Sequence, residues 1–218
     1  KELSPMAVEL TTETEYVKLW STLDPQRVLS AAQRRSIAVF GNTSLTAHLA
    51  ATGELAGTYA DKAFPDCTFA ERRYRKAVCV SAGYGHHMLA HGYSLEQIIE
   101  LADEAVAKII AAMTPDLRIP EPQRTELLGN RIGSANLDAQ IVMAADIRHT
   151  SLMMLEKEKV SHDDALWAHR MKSVSSALHS VRSSEVSKLL SMTSKGLEEV
   201  ISRGDSDNVK EKDEDGRT

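Results

Sequence analysis

Residues 94–114 read SLEQIIELADEAVAKIIAAMT, and their periodicity decides the fold class. Ser94 can cap a helix while Gln97 reaches back to close a capping box. Leu95, Ile98, Ile99, Ala102, Val106, Ile109, Ile110 and Met113 then recur at helical spacing, which predicts one helix that stops at Thr114-Pro115. Working outward, the segment from Leu137 through Ile141, Val142 and Ala145 to Met154 is dense enough in apolar residues for a central, buried helix. Ser161 caps another, with Asp163 and Asp164 in its first turn at the positive end of the helix dipole. Residues 184–202 place Val186, Leu189, Leu190, Leu197, Val200 and Ile201 on one face. Upstream, 24–40 and 44–60 read as helices separated by Gly41-Asn42, and 69–90 as a third introduced by Phe64-Pro65-Asp66. No alternating strand pattern of useful length occurs, so the expected fold is an all-α helical bundle. Aromatic residues supply only 5% of the chain, which leaves the core to aliphatic side chains and methionine.

With 218 residues, 42% of them hydrophobic, the chain can enclose one core. The expected organisation is one helical domain over residues 1–203 and a disordered charged tail over 204–218. That tail, GDSDNVKEKDEDGRT, has six acidic and three basic residues and almost nothing to bury. A net charge of -5 argues against a nucleic acid polymer as partner, and is compatible with a small anionic ligand. No apolar run approaches the roughly 20 residues that cross a bilayer, and no basic-then-apolar segment opens the sequence. A cytoplasmic protein without a membrane partner is therefore expected. Cys67 and Cys79 lack CxxC spacing and read as buried free thiols. The run Arg72, Arg73, Arg75, Lys76 reads as a solvated helix face.

Three places carry residues suited to chemistry: His48 in SLTAHLA, His86-His87 in AGYGHHMLAH and Asp146 in AADIRHTS. A lone histidine on a helix is more often structural than functional, but an adjacent pair is less ordinary. Successive side chains on a helix point about 100° apart, so both imidazoles can reach one ion only near a helix end or a bend. Gly83 and Gly85 supply such a bend. His91 follows His87 at i+4, on the same helical face, and that pair can form a site by itself. A carboxylate such as Asp146 complements imidazoles, a mixture suited to manganese, iron or zinc. An ion so held could acidify water and clamp a phosphate ester.

Residues 114–153, TPDLRIPEPQRTELLGNRIGSANLDAQIVMAADIRHTSLM, with SLTAHLA and the GYGHHMLAHGYSLEQ region upstream, resemble the RelA/SpoT-type HD (p)ppGpp hydrolase domain over roughly residues 25–200. Pro120, Arg124 and Ala145-Asp146 fall at matching places. The resemblance implies an HD-domain-like helical bundle and a metal-dependent phosphohydrolase acting on a nucleotide or other small phosphorylated metabolite. It also implies a divalent cofactor, manganese first, with iron or zinc as alternatives. Carried over, the metal ligands are His48, His86, His87 and Asp146. His87 stands where the family has Asp, and Ala90 and His91 stand where it has its catalytic Glu-Asp pair, leaving His91 as the candidate base. Arg170, Arg34 and Arg35 match basic residues that read substrate phosphates. Glu121 replaces a basic residue, and Val174 an aromatic one. A deletion placed at Gly92 makes His86 the first ligand of the pair, whereas ungapped alignment gives that position to Gly85 and puts His86 at the Asp. These departures leave a second reading, a catalytically degenerate HD-fold protein that binds a nucleotide or a protein partner.

Overall fold

Apolar periodicity becomes helix throughout the computed structural model, which describes the backbone of residues 13–40, 43–178 and 184–215. The order is α1 Glu13–Thr22, α2 Pro25–Phe40, α3 Thr43–Ala63, α4 Phe69–Gly85, α5 Leu95–Leu101, α6 Glu104–Met113, α7 Gln123–Gly133, α8 Leu137–Leu155, α9 His162–Ser176 and α10 Ser184–Asp215. The chain is all-α, with no strand among the described residues. Helices α3, α4 and α8 pack on one another at the centre; α2 covers α3 and α4, α6 covers α4 and α8, and α10 lies across α3, α8 and α9. Val28, Leu49, Ile98, Ile110, Ile141, Ile147 and Leu197 are among the fully buried side chains that fill the space between them. Residues Ala139 to Ala145 of α8 are buried without interruption, as expected of a helix apolar on every side. No described helix is long and apolar enough to cross a membrane.

The capping box expected at Ser94 is made, and the cap expected at Ser161 is a capping box as well. The Ser94 hydroxyl accepts from the Gln97 amide and the Gln97 side chain accepts from the Ser94 amide, and Ser161 and Asp164 pair in the same way. Four expectations need correcting. The single helix over 94–113 is two, because Asp103 competes for the backbone: its side chain accepts from the Val106 amide at 2.8 Å and from the Tyr74 hydroxyl at 2.8 Å, capping α6 afresh. The helix expected over 69–90 ends at Gly85. Residues 86–91 continue as turns, closed by Gly92 at φ +87, with Tyr93 N donating to the Met88 carbonyl and Gly92 N to that of Leu89. Helices α1 and α7 were not expected: α1 buries none of its residues, and two glycines interrupt the pattern of α7. The expected disordered tail is helical backbone as far as Asp215, since α10 runs on through it. Gly204 is buried, and a Cβ there would lie 2.7 Å from the Ala165 Cβ, so the boundary drawn at 203/204 falls inside a packed helix. The Gly41-Asn42 break and residues 216–218 lie outside the described residues.

The basic run is solvated only in part: Arg73 is exposed and Lys76 half-exposed, while Arg72 and Arg75 are bound into the fold. Arg75 donates to Glu71 at 2.9 Å and to the buried Asp138 at 2.8 Å. Arg72 donates to the Cys67 carbonyl, Lys76 pairs with Asp61, and Arg73 lies over the rings of Trp20 and Phe69. Cys79 is buried and Cys67 half-buried, both as free thiols.

Candidate metal centre

Helices α3 and α4 cross in backbone contact. A Cβ on Gly83 would sit 2.6 Å from the Gly53 Cα and 2.9 Å from the Gly53 nitrogen, so neither helix could come this close with a larger residue at 83. That crossing brings His48, one turn before Thr52-Gly53 on α3, beside His86, which caps the end of α4. Helix α8 passes beneath both and presents Asp146 and, one turn on, His149. Since α4 ends at Gly85, His86 and His87 leave it at a helix terminus, where adjacent side chains can turn to one point.

Three donor atoms form a near-equilateral triangle. His48 Nε2 lies 3.1 Å from Asp146 Oδ1, His86 Nε2 lies 3.4 Å from the same oxygen, and the two nitrogens are 3.1 Å apart. Neighbouring ligands about one ion at about 2.0–2.2 Å stand roughly 3.0–3.6 Å apart, so this triangle matches one face of a transition-metal coordination shell. The His48 and His86 rings meet edge to face at 76°, which lets each offer a lone pair to the same point. His87 adds a nitrogen within 4.8 Å of theirs.

Hydrogen bonds orient the rings for that use. His86 Nδ1 donates to the Gly83 carbonyl at 2.6 Å, which turns Nε2 toward the centre, where it faces Asp146 and would offer its lone pair to a cation that displaced its proton. Burial pushes Asp146 up, but His86 and His48 outweigh it and hold the carboxyl well below the usual range. Burial pushes His86 down, and Asp146 with the Gly83 carbonyl reverses this, raising it above its ordinary value. The carboxylate therefore makes this point favourable for a positive charge. Burial, then the neighbouring His86, pushes His87 down to about 3, so its imidazole is neutral and able to ligate. The Asp146 side chain is 24% exposed while those of His48 and His86 are 6% and 3%, so the centre opens to solvent on the carboxylate side.

His48, His86, His87 and Asp146 thus come together from three helices. At the histidine pair, His86 faces Asp146 and His87 stands beside it. His91 is buried beside them, its ring stacked on His87 at 5.5 Å between centroids and its Nδ1 3.3 Å from the Ser36 hydroxyl. Burial, followed by His86 and Arg35, lowers its pKa, which keeps it neutral at pH 7. Arg35, itself exposed, reaches His91 from α2, its Nε donating to the His91 carbonyl at 2.7 Å. Arg34, about 100° around α2, is exposed. Arg170 lies elsewhere, in a groove of about 580 Å³ between α7 and α9 with Thr125, Asn130 and His169, and none of its lining residues belongs to the histidine cluster. Glu121 borders that groove, bound to Arg124 and Thr125.

Sequence reading passed over His149. Its Nδ1 lies 2.8 Å from His48 Nδ1, so it touches the cluster through a candidate ligand. The i, i+3 spacing from Asp146 was the available signal, because it puts both side chains on one face of α8. Comparison with known proteins finds no family model, no curated protein and no solved structure that matches this chain.

Proposed function

We propose that the chain is a metal-dependent phosphohydrolase of the RelA/SpoT-type HD kind, acting on a nucleotide or other small phosphorylated metabolite. One observation carries the reading: His48, His86 and Asp146, separated by tens of residues, bring three donor atoms within 3.1–3.4 Å of one another. Those positions are the ones the family resemblance selects, and the all-α architecture accommodates the HD-like bundle it implies. When bound, a divalent ion supplies charge that polarises a phosphoryl oxygen and acidifies water.

The chain's own residues do the rest. His48, His86, His87 and Asp146 hold the cation, and Asp146 marks the open side by which substrate enters. His91, neutral and buried against the His87 ring, takes a proton from the attacking water as the water oxygen bonds to phosphorus and the ester oxygen leaves with its electron pair. Arg35, fixed by the His91 carbonyl, places positive charge where a phosphate arrives. Arg170 serves substrate only if the ligand spans to the α7/α9 groove.

A second reading is favoured by Ala90, which has no acid–base group where the family has Glu: an HD-like protein that binds a nucleotide or a protein partner without turnover. One experiment separates them. The purified chain is assayed for bound manganese, iron and zinc and for phosphate release from a panel including guanine nucleotides, beside His48→Ala and Asp146→Ala. Turnover lost in both variants supports the hydrolase; nucleotide binding without phosphate release supports the second reading; no metal and no turnover defeats the first.

A further inference from the structure

The donor set has a composition that bears on which ion it takes. His48, His86 and His87 contribute three imidazole nitrogens, and Asp146 contributes the one carboxylate facing them. Imidazole suits borderline-soft ions such as zinc and ferrous iron, whereas manganese and magnesium are better served by carboxylates and water. Charge bears on the ligand and not on the choice of ion: one carboxylate leaves any divalent ion with a net positive charge, so this site keeps more attraction for an anionic oxygen than one with two. His87 is the residue that decides between these compositions, because the other three donors already form the compact triangle and His87 supplies the fourth. Its ring lies 4.2 Å from that of His86 and 5.9 Å from that of His48, so a carboxylate placed there would face the same centre.

We infer that this centre selects zinc or ferrous iron over manganese, and that His87 is the residue that sets the selectivity. The inference rests on the reading of the cluster as a metal centre and narrows it. Every mixed nitrogen and oxygen site binds zinc more tightly than manganese, so the order of affinities alone decides nothing; the response of their ratio to position 87 does.

The test uses the full chain, stripped of metal, titrated separately with Zn²⁺ and Mn²⁺ against a chromophoric chelator. His87→Asp is expected to lower the zinc-to-manganese affinity ratio by about tenfold or more, chiefly by strengthening manganese binding. His87→Gln, which offers a neutral oxygen, lowers the ratio by weakening zinc and guards against a misfolded aspartate variant; helical circular dichroism confirms that each variant is folded. Both ions binding with a ratio unchanged in the folded variants overturns the selectivity role and leaves the metal centre standing. If wild type binds neither ion, the metal-centre reading fails, and this inference with it.

Discussion

His48 and His149 meet nitrogen to nitrogen, Nδ1 to Nδ1, at 2.8 Å. Two imidazole nitrogens at that distance share one proton, so one ring donates and the other accepts. With His48 Nε2 given to a cation held beside Asp146 and His86, the proton on His48 belongs at Nδ1, and His149 accepts it. On the proposed reading His149 is a positioning residue that holds the tautomer and angle of the candidate ligand His48. His149→Ala is expected to weaken zinc binding by about 10–100-fold. His149→Asn, whose amide oxygen can accept the same proton, should recover part of the loss. Equal zinc affinity in wild type and His149→Ala, by chelator competition, would remove His149 from the centre.

The approach of α3 to α4 makes a second expectation. Gly83→Ala places a methyl group against the Gly53 backbone, which has no rotamer by which to yield, so the helices must move apart. Urea unfolding should show a loss of about 1–3 kcal/mol. Because the same crossing sets His48 beside His86, metal affinity should fall with it. Unchanged stability would mean that the two helices adjust without cost.

Asp164 gives a pH dependence with a definite sign. Burial pushes its carboxyl up, but Lys157 at 2.7 Å and the Ser161 amide and hydroxyl win and lower it. A carboxyl lowered on folding adds stability that is fully present above its unfolded value of about 3.9 and is lost as pH falls through the folded one. Asp164→Asn should therefore cost about 1 kcal/mol at pH 7. The gap to wild type should close only below about pH 4. A gap that widens with acidification in urea titrations would reverse the assignment.

Arg75 supports the start of α8 through its bond to Asp138, whose side chain is only 7% exposed. Burial already raises the Asp138 pKa despite that partner. Removing the guanidinium leaves the carboxylate with only the weak Cys79 thiol donor at 3.6 Å, and Arg75→Ala should cost about 2–4 kcal/mol, between the limits for exposed and buried pairs. Adding Asp138→Asn should restore part of it, since the charge that lacked a partner is then gone. A double variant less stable than the single one by thermal unfolding would show that Arg75 acts through packing alone.

What the sequence determined by itself was local. Helix periodicity, the Ser94–Gln97 and Ser161–Asp164 caps and the absence of alternating runs depend on residues within one or two turns of each other, and each is present in the fold. The break at Asp103 was less visible, because Tyr74, twenty-nine residues away, joins Val106 in holding that carboxylate. The candidate ligands were legible as residue types, with the condition that His86 and His87 sit at a helix end. Their meeting was decided by tertiary structure alone: the Gly53–Gly83 crossing sets the separation of α3 and α4, and α8 beneath them brings Asp146 to 3.1 Å from His48. His149 entered the centre, and Arg170 came to line a groove outside the cluster, for the same reason. A helix's own periodicity says which face a side chain occupies, and only the packing of that face against other helices says what it meets.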